Sequence, residues 1–177
     1  NGTGVIASSA QLGGIKQSAS LSAANFATAI SDGGAGAGEF KINGVSITYS
    51  VGDSAATLLK RINDSAAGVS AAYDTVNDRF VLSNKITGDI SLGLEDVTGN
   101  FLAATGLSGG TLERGQNLRY TIDGGSELIS QANTITESSS GIAGLSVTAL
   151  AEGAATVTVS TDTAKIKTAI NDFLTEY

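Results

Sequence analysis

The chain has 177 residues, 41% of them hydrophobic, a formal net charge of -7, and no Cys, His, Met, Pro or Trp. Those absences remove the usual soft metal ligands, the imidazole base and every thiol nucleophile, so no cofactor or metal is expected and most familiar catalytic machinery is excluded. The 10 Lys and Arg are dispersed among 17 Asp and Glu, which excludes a nucleic-acid interface, and no stretch approaches the roughly 18 to 20 apolar residues that cross a bilayer, so no membrane partner is expected either.

Along the chain, residues 1–38 are small and polar, with a weak helical stripe through Leu21, Phe26 and Ile30 and a glycine cluster at Gly33, Gly34, Gly36 and Gly38. The cluster reads as a flexible joint. It precedes a strand and lacks the G-x-G-x-x-G spacing, which argues against a phosphate cradle. Phe40 and Ile42 then alternate with polar neighbours, Asn43-Gly44 supplies a tight turn, and Val45, Ile47 and Tyr49 alternate on the return: a β-hairpin. A helix follows, with Asp53 or Ser54 as N-cap, a face of Ala55, Leu58, Leu59, Ile62 and Ala66 that packs on the hairpin, and Gly68 as terminator. Lys60-Arg61 reads as part of its solvated face.

Val69, Ala71 and Tyr73, a polar turn over 75–78, and Phe80 and Leu82 make a second hairpin. Ile90, Leu92 and Leu94 read as one more strand, and Asn100 caps a short helix ended by Gly106. Leu118, Tyr120 and Ile122 alternate into Asp123-Gly124, another primed-turn signal. Leu145, Val147 and Ala149 with Val157 and Val159 form a third alternating pair, joined through Glu152-Gly153. Thr161 or Asp162 then caps a final helix with Ile166, Ile170, Phe173, Leu174 and Tyr177 on one stripe. No helix-stop signal follows that stripe and the chain opens without Met, so a longer protein is expected, with the stripe leading into absent structure. The fold class is α+β, mainly antiparallel β, with a few short helices.

The carboxylate groupings worth weighing for catalysis or calcium are Asp74 with Asp78 and Glu95 with Asp96. The first reads as a turn, because Asp and Asn bond their own backbone there, and it lacks the ligand series and glycine of an EF-hand loop. The second reads as a polar strand end, so no enzyme is expected.

The run from Glu39 to Asp89 resembles the repeat of flagellar filament and hook-associated proteins, through Ile42-Asn43-Gly44, Ile62-Asn63, Gly68-Val69 and Gly88. Further on, GQNLRYTIDGG, Ser130-Gln-Ala-Asn133-Thr-Ile-Thr136, the stretch from Gly141 to Leu150 and the terminal helix ending in Phe173-Leu174 and Tyr177 are similar to the filament-capping, or hook-associated protein 2, family. The resemblance implies two small β-rich head domains, one inserted in the other: 37–112 as the inserted domain, 1–36 with 113–162 as the framing domain, and 163–177 as the start of a helix entering an absent leg domain. It also implies a ring-like homo-oligomer at the tip of the bacterial flagellum, which retains exported flagellin through regions outside this segment and in some members touches host surfaces. Phe173, Leu174 and Tyr177 would pack against the leg domain. Alternatively they cover the chain's own sheet, as Ile166 and Ile170 are expected to do. The competing readings are a hook-filament junction protein or flagellin outer domain, and a surface adhesin or glycan-binding module, for which four Tyr, five Phe and no Trp offer few stacking platforms.

Overall fold

The computed structural model describes residues 2–34, 36–158 and 163–176. Strand β1 (Thr3–Ala7) opens the chain. The first expected hairpin is present as β2 (Gly38–Ile42) and β3 (Val45–Tyr49), with Phe40 opposite Ile47 and Ile42 opposite Val45. Asn43 and Gly44 hold φ of 51° and 80°, the mirror-image turn whose twist matches its strands.

Helix α1 (Ala55–Asp64) starts at Ser54, whose hydroxyl accepts from the Thr57 amide at 3.1 Å, and buries Ala55, Leu58, Leu59 and Ile62. It stops short of the expected terminator. The Ser65 hydroxyl donates to the Ile62 carbonyl at 2.7 Å, satisfying a last-turn acceptor early, and Ala66 is exposed beyond the end. The second hairpin is β4 (Val69–Asp74) with β5 (Arg79–Thr87). Strand β6 (Leu94–Thr98) begins only where the expected 90–94 strand was to end. Asn100 does stand before α2 (Phe101–Ala104), but its side-chain oxygen accepts from the Ser31 amide at 2.8 Å. The cap comes instead from Asp96, whose carboxylate takes the Leu102 and Ala103 amides at 2.9 Å each. A short β7 (Leu112–Glu113) closes this part.

These strands make two antiparallel sheets, β4-β5-β1-β7 and β3-β2-β6. One apolar cluster joins them. Phe101 stacks on Phe40 of one sheet at 4.9 Å and on Phe80 of the other at 6.1 Å, with the Tyr49 ring 5.6 Å away. Ile6, Leu12, Ile15, Leu21 and Ile30, from the segment that the resemblance gives to the framing domain, lie in this same cluster.

The segment after β1 forms no helix. Asn25 sits at φ 67° with its side-chain amide donating to the Gly13 carbonyl at 2.6 Å, a conformation a helix does not tolerate. The segment wraps as an irregular strap, sealed by Leu12, Ile15, Leu21 and Ile30. The glycine cluster at its end is not a free joint, because Gly38 lies inside β2, directly under the Tyr49 ring, where a Cβ would collide with the aromatic carbons.

The later chain is built of ribbons. β8 (Leu118–Tyr120) pairs with β9 (Leu128–Ser130) around the expected Asp123-Gly124 turn, at φ 50° and 70°. β10 (Thr134–Thr136) pairs with β11 (Ser146–Thr148) around a one-turn helix α3 (Glu137–Ser140) closed by Gly141 at φ 72°. The expected pairing of 145–149 with 157–159 is therefore corrected: β11 turns back onto β10, and the described part of the second segment, including Val157, is not in a strand. Val159 and the cap candidates Thr161 and Asp162 fall outside the described residues. Helix α4 (Thr163–Glu176) ends the chain. The fold class is as expected, with mainly antiparallel strands in small sheets and few short helices. Among the described residues no helix is long and apolar enough to cross a membrane.

Candidate interaction surface

Three of the four carboxylates that the sequence offered for chemistry are used by the backbone, and the fourth faces a lysine. The Asp74 carboxylate accepts from the Val76 and Asn77 amides at 2.9 and 3.1 Å and from the Asn77 side chain at 2.6 Å, and the Asn77 amide group above all holds it below the ordinary carboxyl range. Asp78 takes the Gly13 and Gly14 amides at 2.8 Å each and the Tyr73 hydroxyl at 2.6 Å. It therefore buckles the strap onto the second hairpin. The Tyr73 bond depresses its pKa, while Tyr73 itself, pushed first by burial and then by this bond, rises to about 12. Asp96 caps α2, and Glu95 faces Lys41 across the ladder at 3.8 Å. Among the described residues no group of three or more acidic side chains is placed to hold a metal ion. A shallow open groove of about 500 Å3 runs between β3 and α1, and its charges are spent internally: Lys60 pairs with Asp64, and Arg61 with Asp53 at 2.9 Å.

The two Asn residues of the hairpin-helix-hairpin unit act as clamps, a role spacing alone did not reveal. Asn43 lies in the β2–β3 turn. Its side-chain nitrogen donates to the Ala67 carbonyl, and its oxygen accepts from the Gly93 amide, both at 2.9 Å. Asn63, at the end of α1, accepts from the Ala71 amide at 2.7 Å and donates to the Ala71 carbonyl at 2.9 Å. The Lys85-to-Gly68 bond sets the phase of the β4–β5 ladder, so Ala71, opposite Leu82, turns its N–H and C=O away from β5. Asn63 thus mimics a neighbouring strand on the open edge of β4. Arg61, two residues earlier, donates to the Thr48 carbonyl of β3. One turn of α1 consequently engages one edge of each sheet, β4 and β3, which hinders pairing with stray strands there. Gly88 is where the later chain joins: Asp89 donates to Asn117 at 2.8 Å, Thr87 to the Gln131 carbonyl at 3.0 Å, and Arg114 pairs with Asp89 at 2.7 Å.

The apolar stripe at the chain's end is present and at least half exposed. Ile166 is 50%, Ile170 54%, Phe173 63% and Leu174 66% exposed, and no described residue of α4 is buried. The expectation that Ile166 and Ile170 cover the chain's own sheet is therefore corrected. The two ribbons are only two strands each, and neither presents a buried face for a helix to complete. Tyr177, the third residue of the expected packing site, lies outside the described residues.

Residues 27–85 match the family described as the flagellin hook IN motif, which spans the hairpin, α1 and the second hairpin with both Asn clamps. By class, this part of the chain is similar to a motif of flagellar proteins. Residues 115–177, comprising the ribbons and α4, match the family described as the flagellar hook-associated protein 2 C-terminus. A relative named flagellar hook-associated protein 2, from Thermotoga maritima, is 39% identical over 90 residues, covering 49% of this chain and 15% of that protein. The matches to both halves and to this relative support the resemblance to the hook-associated protein 2 family.

Proposed function

We propose that this chain is part of the cap at the distal tip of the flagellar filament, where the full protein retains exported flagellin and promotes its assembly. The observation that carries this reading is the ordered match of both halves, the IN motif and then the hook-associated protein 2 C-terminus, on one chain. A junction protein or flagellin would account for the first match and not for the second.

The role is structural. A lobe with one edge of each sheet engaged by α1 and with Asp74, Asp78 and Asp96 committed to backbone presents a surface, and copies held side by side form the outer plate of a ring-like homo-oligomer. The surface is rich in Gly, Ser and Thr, so contact between heads alone is weak, and avidity across the ring supplies the rest. Phe173, Leu174 and Tyr177 continue into the helical leg domain, whose packing covers the stripe of α4. Flagellin meets regions outside this segment. Gold-labelled antibody raised against this chain should mark the distal ends of intact filaments. Labelling along the shaft or only at the hook would contradict the assignment.

A further inference from the structure

We propose that the Asn43-Gly44 turn is a covalent modification site that the native fold keeps shut and unfolding opens. An Asn followed by Gly is the side-chain amide most prone to hydrolysis, because the small glycine lets its own backbone nitrogen reach back. The Gly44 nitrogen attacks Asn43 Cγ, a C–N bond forms, the Cγ–Nδ2 bond breaks, and ammonia departs carrying the Gly44 amide proton. Water then opens the cyclic imide at either carbonyl, leaving aspartate or isoaspartate.

In the folded chain that attack is opposed by the bonds that hold the turn. Asn43 is held at φ 51° and Gly44 at φ 80° in a tight turn, so the backbone on both sides of the reacting bond is fixed by the hairpin. The side-chain amide is pinned from both ends, its nitrogen on the Ala67 carbonyl and its oxygen on the Gly93 amide, both at 2.9 Å. The Asn43 backbone amide is also tied to the Gly93 carbonyl at 2.8 Å. Swinging Cγ round to the Gly44 nitrogen takes the side-chain amide off both partners, which loosens the junction of hairpin, α1 and β6. Once the reaction has run, the junction does not re-form: a carboxylate has no proton for the Ala67 carbonyl, and an isoaspartyl link adds a backbone carbon to a two-residue turn. The site therefore records time spent unfolded, and this does not depend on the flagellar reading.

The test is to hold the whole chain at mildly alkaline pH, folded in buffer and unfolded in guanidinium, and to follow amide-to-acid conversion at residue 43 by peptide-resolved mass spectrometry. Because the unfolded fraction of a stable domain is on the order of one in a thousand or less, conversion in the folded chain is expected to be at least about tenfold slower. Rates within twofold of each other would overturn the protection. The second arm is Asn43→Asp, the direct product: it is expected to fail to regain the native melting transition after unfolding, and recovery equal to the unaltered chain would overturn the proposed irreversibility.

Discussion

Replacing Asn63 by Ala isolates the edge clamp of β4. The substitution removes two hydrogen bonds, at 2.7 and 2.9 Å, from the amide and carbonyl of Ala71, which is only 5% exposed and has no β5 partner for either group. Each bond contributes about 1 kcal/mol net, and a buried group left unsatisfied costs about 1 to 3 kcal/mol. The vacated amide volume admits water, so the lower part of that range applies and the expected loss is about 2 to 3 kcal/mol. At about 4 to 8 °C per kcal/mol for a lobe of this size, the melting temperature should drop by about 8 to 24 °C. Urea titration followed by circular dichroism at neutral pH measures it. Asn63→Asp sharpens the test, because its carboxylate still accepts the Ala71 amide but faces the Ala71 carbonyl with no proton to donate. That variant should lose at least as much at pH 7 and recover in part as acid protonates it. A loss under about 0.5 kcal/mol for Asn63→Ala, the size of an ordinary surface change, would refute the edge-clamp reasoning.

Further outcomes follow from the same geometry. The carboxyls of Asp53 (through Arg61 first), Asp74 (through Asn77) and Asp78 (through Tyr73) all titrate below the ordinary value of 3.8 when folded, so the stability they supply is complete above that value and is lost as pH falls through the folded pKa values. Acid melts should therefore be level between about pH 7 and 5 and steepen below about pH 4, and Asp78→Asn should flatten part of that slope. Tyr49→Phe removes a hydroxyl that donates to the Ser31 carbonyl at 2.6 Å and accepts from the Asn100 amide at 3.1 Å; the expected cost is about 1 to 3 kcal/mol by denaturant titration. Truncation after Asp172 should cost this chain less than about 1 kcal/mol because the stripe it removes is exposed, and a loss of about 3 kcal/mol would show that Phe173 and Leu174 are buried after all. Sedimentation of the isolated chain at micromolar concentration should show monomer or weak association, with a tight discrete oligomer as the contrary result.

What could be read from the sequence was whatever local chemistry decides. Asn43-Gly44 and Asp123-Gly124 announce turns because few residue pairs accept two consecutive positive φ angles, and the stripe of α1 follows from its 3.6-residue period. The strap escaped because its buried residues Leu12, Ile15, Leu21 and Ile30 follow no period. The strap is tied down by partners far along the chain, such as Asp78 for Gly13 and the Phe80 backbone for Ser8. The partner of β11 was misread for a related reason: Thr134-Ile135-Thr136 carries a single apolar residue, too little for an alternation to show, while Val157 and Val159 advertise one. The clamping roles of Asn43 and Asn63 were hidden because an Asn in sequence looks the same whether it caps, turns or bridges two elements.

The cap assignment is tested most directly by complementation. A flagellated bacterium lacking its own filament-capping protein should be supplied with the full-length protein that contains this chain, with filaments counted by electron microscopy and unassembled flagellin measured in the medium. Restored filaments with little free flagellin are the predicted result, and the loss of that rescue on changing Phe173 and Leu174 to Asp would tie it to α4. Flagellin leaking as monomer from cells that make and export the intact protein would contradict the account.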